Sequence, residues 1–288
     1  MRAIRVGKGW FPWCVLVAAS LALTGCAQMR DMLNLETPKA RVTAVSLGDA
    51  SLEAATLFFD VEIENPYRVP LPLANADYSL ASTGRAFLSG KAALQGTVPA
   101  RSKQIVRLPA RMVYAEVLKS LSGVRPGSVV PYDAEMGLSV DVPGAGPLRL
   151  PLRKAGKLPV PTAPDVEVRE IRWSSVALDK AAGQVTLAVV NRNQFPVDLS
   201  TFAYALSLGG VGVAESSLAK AVRFEADGGA GTVEIPISFA PQNFGLAVVQ
   251  MLAGKGSGYS LKGAMDVNTP FGPMSLPVGK TGNTVFRK

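Results

Sequence analysis

The chain has 288 residues, a formal charge of +8, two cysteines and no histidine. Without histidine it lacks the usual side chain for proton transfer near neutral pH and the commonest transition-metal ligand, so a Ser-His-Asp or Cys-His centre cannot be built. Charged residues are 18% of the chain against about 25% in ordinary globular proteins, and 28 glycines and 21 prolines point to a turn-rich β protein with an ample apolar core.

Residues 1–25 read as an export signal. Arg2, Arg5 and Lys8 give a positive start, Phe11 to Leu23 is largely apolar, and the small residues Thr24 and Gly25 precede Cys26. The apolar run is shorter than the roughly 20 residues that span a bilayer. Leu23-Thr24-Gly25-Cys26 resembles the lipobox of bacterial lipoproteins, which implies cleavage before Cys26 and acylation of that cysteine. Three acyl chains on one terminus anchor stably, because two membrane signals already suffice. In that lipoprotein family an Asp after the cysteine favours inner-membrane retention; with Ala27-Gln28 there instead, the resemblance implies sorting to the periplasmic face of the outer membrane in a double-membraned bacterium. Cys14 leaves with the signal, so no thiol remains for a disulfide, a metal or nucleophilic chemistry, and the charge falls to +5 with the loss of Arg2, Arg5 and Lys8.

Residues 26–38 form a polar tether without periodicity. A first domain is expected over 39–157. Ala55, Leu57, Phe59, Val61 and Ile63 alternate with Thr56, Phe58, Asp60, Glu62 and Glu64, which places five apolar side chains on one strand face. Tyr132, Ala134, Met136, Leu138, Val140 and Val142 repeat the pattern. Met112 to Leu121 reads as a short helix with Val113, Val117, Leu118 and Leu121 on one side and Gly123 as its stop. The prolines of residues 158–164 favour an extended, semi-rigid linker. A second domain follows over 165–282, with strands at Val185-Leu187-Val189, Phe202 to Leu208, Val233 to Phe239 and Tyr259 to Val267, and a matching helix at Gln242 to Leu252 before Gly254. Residues 283–288 are a tail. One-sided strands of this kind pack sheet on sheet.

The two domains repeat one motif. Asn65, Pro66, Pro70 and Tyr78 in the first answer to Asn191, Pro196 and Tyr204 in the second at an offset of 126, with Arg192 standing where Pro66 is expected. Pro66 and Pro70 lack an N–H and hold the preceding residue extended, so the chain leaves one ladder and crosses to the next strand. Asn65 can bond nearby backbone and hold that corner, while Leu71, Leu73, Ala76, Tyr78 and Leu80 return to the core. This stretch resembles the late embryogenesis abundant type 2 family, also called the water stress and hypersensitive response (WHy) domain. The resemblance implies two tandem immunoglobulin-like or fibronectin-III-like β-sandwiches, all-β with one short helix each, and an association with desiccation and other stress.

Other candidates read as structure. Asp60, Glu62 and Glu64 lie about 6.6 Å apart on one strand face, but a flat row lacks the encircling oxygens of a calcium loop. Gly254-Lys255-Gly256-Ser257-Gly258 lacks phosphate-loop spacing and leads into a strand. Trp173, with Val168 and Ile171, is expected in core or domain-interface packing. The basic clusters Arg101-Lys103-Arg107-Arg111 and Arg149, Arg153, Lys154, Lys157 read as solvated strand faces, and no aromatic-plus-basic platform for nucleic acid is present. No catalytic residue, metal ligand or cofactor site is expected. The expected function is that of a non-enzymatic, membrane-anchored envelope protein that binds or shields macromolecules under stress; the alternative is a structural adaptor bridging the membrane to one envelope or export partner.

Overall fold

The computed structural model describes residues 36–177, 179–244, 257–284 and 286–287. The signal segment, Cys26 and most of the tether lie outside the described residues. The first sandwich contains β1 (Lys39–Gly48), β2 (Ala54–Glu64), β3 (Leu71–Ser82), β4 (Arg85–Ala93), β5 (Thr97–Val98), β6 (Lys103–Val113), helix α1 (Tyr114–Ser120), β7 (Val129–Val142) and β8 (Gly146–Pro159). The second contains β9 (Asp165–Val176), β10 (Ala181–Val190), β11 (Val197–Leu208), β12 (Val211–Phe224), β13 (Ala230–Phe239), a 3-10 turn at Pro241–Phe244, β14 (Ser257–Thr269), β15 (Gly272–Thr284) and β16 (Phe286–Arg287).

In each copy a sheet built on the first two strands faces a sheet built on the next. The orders are β1-β2-β6 against β4-β3-β7-β8, with β5 also on β3, and β13-β10-β9-β16 against β12-β11-β14-β15. The alternation read in the sequence sets which side chains lie between the sheets. All five inward residues of β2, Ala55 to Ile63, are buried, as are the six of β7 from Tyr132 to Val142. Each large apolar side chain so buried favours folding by about 1.5–3 kcal/mol before its entropy cost. The second core gathers Val185, Leu187, Phe202, Leu206, Ile235 and Leu261 in the same layers, and Trp173 belongs to it, edge-on to Phe239 at 5.9 Å.

Three expectations are corrected. The first helix begins at Tyr114, two residues later than expected, because the β2–β6 ladder runs on to the Ala54–Val113 pair and keeps Val113 extended. Val113 therefore points outward, 39% exposed, and Tyr114 with Val117 forms the buried face. The first sandwich runs two residues past its expected end: β8 continues to Pro159, and Leu158 to Pro161 are buried. The tail carries β16, which pairs in parallel with β9 through Phe286–Ile171 and Arg287–Arg172. Of the second expected helix, only the 3-10 turn is described; the rest, and the run from Gly254 to Gly256, lie outside the described residues.

Candidate functional site

The motif residues build two matching corners. Asn65, 1% exposed, donates from Nδ2 to the carbonyls of Val69 (2.9 Å), Val98 (3.0 Å) and Pro99 (3.0 Å), and its Oδ1 accepts the Tyr67 N–H at 2.9 Å. Asn191, also 1% exposed, donates to Phe195 (2.8 Å), Phe224 (3.4 Å) and Glu225 (3.0 Å) and accepts the Asn193 N–H at 3.0 Å. Every partner is displaced by the same 126 residues. A carboxamide suits the position because it alone among short side chains offers both two N–H donors and an acceptor. Pro66, Pro70 and Pro196 shape the crossing. Tyr78 is half-buried beside Gly90, and Tyr204, buried on β11, ties the sheets together by donating to the Pro236 carbonyl at 3.0 Å.

Where the second corner departs from the first, it grips the other sandwich. Asn193 replaces Tyr67 and Gln194 replaces Arg68. Asn193 Oδ1 accepts the Thr162 N–H at 2.8 Å and its Nδ2 donates to the Thr162 carbonyl at 3.1 Å, so the linker is held on both sides of one residue. Gln194 accepts the Val129 N–H on Oε1 at 2.8 Å, while its own N–H donates to the Gly127 carbonyl at 2.8 Å. Gly127 has φ 93° and lies so close to the Arg192 carbonyl that a Cβ would stand 2.5 Å from its oxygen. Arg192 itself pairs with Asp165 at 2.6 Å. The loss of the Pro66 equivalent, which in the sequence alone weakens the second motif, belongs to this joint.

The acidic row of β2 is matched by cations on both neighbouring strands. Arg107 bridges Asp60 at 2.8 and 3.3 Å, Arg41 reaches Glu62 at 2.9 Å, and Lys103 lies 3.4 Å from Glu64. Arg107 also lies over the Phe58 ring, 5.6 Å from its centre. On the opposite sheet Arg149 bridges Asp77, and Arg153 pairs with Glu135 at 3.1 Å. Hydrogen bonds from Arg107 and Arg149 hold the Asp60 and Asp77 carboxyls below the usual range. These carboxylates are thus neutralised in place, and among the described residues no cluster of three His, Cys, Asp or Glu could hold a metal. Sequence reasoning placed the acidic row and the basic cluster on solvated faces but missed that they meet; their common two-residue spacing was the signal.

Beside the joint lies a cleft of about 640 Å³, bordered by Ser82, Thr83, Arg85, Ser122, Ser128 and Gln194. Among the described residues no helix is long and apolar enough to cross a membrane.

Two β-sandwiches in tandem, each closed by a buried asparagine corner, define a duplicated single-domain architecture. The profile of the late embryogenesis abundant protein family, LEA_2, matches residues 60–156 and 186–282, and the chain belongs to that family. It is 27% identical over 133 residues to late embryogenesis abundant protein Lea14-A of Gossypium hirsutum, covering 46% of this chain and 88% of that one. The desiccation protectant protein Lea14 homolog of Glycine max is similar to the same extent, 27% with the same coverage. The solution structure of AT1g01470 from Arabidopsis thaliana, at 24% identity, covers 44% of this chain and 85% of its own, with a TM-score of 0.38.

Proposed function

We propose that this is a non-enzymatic lipoprotein of the bacterial envelope, anchored through acylated Cys26 at the periplasmic face of the outer membrane, that protects macromolecules during water stress by surface contact. The observation that carries this reading is the pair of LEA_2 domains, some of whose relatives are named for desiccation. Charge supports the anchoring. Residues 39–157, next to the tether, contain 15 Lys and Arg against 10 Asp and Glu, a net of +5, whereas residues 165–282 contain 9 against 10, a net of −1. A basic lobe beside anionic head groups adds to the hold of the lipid, within about a Debye length of the surface.

Purified mature protein is expected to preserve an unrelated enzyme through drying or freezing at low molar ratio; protection no better than an albumin control removes the stress role. Mass spectrometry of the mature terminus is expected to find acyl mass on Cys26, and Cys26→Ser to release the chain from membranes. The adaptor reading draws on the joint, which holds the two sandwiches to one another through Asn193 and Gln194. It requires a single stoichiometric partner after crosslinking in intact cells, and diffuse weak contacts would count against it.

A further inference from the structure

The cleft beside the joint carries chemistry that the sandwich does not need. Ser82, Thr83 and Arg85 come from the β3–β4 turn. The corresponding turn of the second copy, fixed by the Leu208–Val211 pair as the first is by Ser82–Arg85, places Leu208, Gly209 and Val211 there. Leu208 is fully buried, so this position of the fold takes an apolar side chain without difficulty. Ser82, 6% exposed, borders the cleft where the second copy has that leucine. The duplicated chain is its own control: the corners that hold the fold are repeated, and the polar residues of the turn that borders this cleft are not.

Among the described residues of the lining, Arg85 is the only charged one, with no Asp or Glu. Its Nη1 donates to the Ser120 carbonyl at the end of α1 at 3.3 Å, which fixes the guanidinium at the rim and leaves further donors of its planar fork. Ser122 and Ser128 add hydroxyls, and Gln194, whose Oε1 is taken by Val129, has an amide group left to donate. Leu121 and Val129 supply an apolar wall. The volume, about 640 Å³, falls within the roughly 300–1,000 Å³ of small-molecule sites.

We infer that this cleft binds an anionic sugar, a mono- or disaccharide with one carboxylate or phosphate. Arg85 holds the anion, the Ser, Thr and Gln side chains meet the sugar hydroxyls, and the apolar ring face lies against Leu121 and Val129. The inference is independent of the stress role. It is tested by calorimetric titration of the full chain in detergent with glucuronate, glucose 6-phosphate, glucose and inorganic phosphate. At least one of the two anionic sugars binds with Kd of about 1 mM or tighter, and glucose and inorganic phosphate bind at least about tenfold more weakly; the preferred sugar identifies the oxyanion. Arg85→Gln weakens binding about tenfold. Ser82→Leu, which installs the residue of the second copy, blocks the site while the unfolding midpoint is unchanged or higher. Absence of binding by both anionic sugars at about 10 mM, inorganic phosphate binding as well as they do, or binding unaltered in both variants overturns the assignment.

Discussion

At the scale of single residues, the two corner asparagines carry more structure than their number suggests. Removing the carboxamide leaves three carbonyls and one N–H without their partner at a corner whose asparagine is 1% exposed, so Asn65→Ala is expected to destabilise the first sandwich by about 2–4 kcal/mol, read as a shift in urea midpoint. Asn191→Ala should cost more, because Asn191 Oδ1 also accepts from Asn193 Nδ2 at 2.9 Å and so orients the residue that holds the linker. Tyr114 shows the opposite case. Its hydroxyl is buried with no hydrogen-bond partner among the described residues, and burial pushes its pKa far above the usual phenol range. The neutral form is therefore favoured in the folded state, and the corresponding stability is present below the unfolded value of about 10 and is lost as pH rises through the folded one. Tyr114→Phe is expected to be neutral or stabilising by about 1 kcal/mol near pH 7 and to flatten the alkaline limb of a midpoint-against-pH curve.

At the scale of strands, the charge ladders have a signed pH dependence. Because Arg107 and Arg149 lower the folded-state pKa of Asp60 and Asp77, their contribution is present above the ordinary carboxylate range and disappears as pH falls through the depressed values. These pairs are exposed, so the effect is small and screened by salt. Asp60→Asn with Asp77→Asn should blunt the acid limb of the stability profile at low ionic strength and do little at 1 M salt, followed by thermal melts. Strand identity and facing were legible in the sequence because period-two alternation at Ala55–Ile63 and Tyr132–Val142 is the direct consequence of one wet and one dry face. The start of α1 was not legible, since Val113 fits a helix face and a strand end equally well and only the pairing with Ala54 decides. The partners of the ladders were hidden for a related reason: cross-strand neighbours depend on register, and register is set by corners and bulges elsewhere, such as the slip between Leu73 and Asn75.

At the scale of the whole molecule, the corners, visible as a repeat, positioned the candidate site, but the joint came from the residues that broke the repeat. Arg192 stood out in the sequence as a departure from the motif, and in space it lies with Asn193 and Gln194 at the contact between the copies. Gln194→Ala removes the acceptor for the Val129 N–H, and Gly127→Ala drives a Cβ into the Arg192 carbonyl; each is expected to loosen the two lobes, widening the distance distribution in small-angle scattering. In calorimetry each should separate the unfolding of the two cores by a few degrees while shifting either one by only about 1 kcal/mol. Unchanged scattering in both variants would show that the joint does not set the arrangement.

The second corner completes its own sandwich and clasps its neighbour with one short hook, and this imposes an order on biogenesis. As the polypeptide leaves the ribosome or the export channel, the earlier lobe is available first, with its Gly127–Val129 edge already presented. The later lobe closes its loop on that finished template, so a lesion in the first half delays maturation of the second even though the two interiors share few side chains.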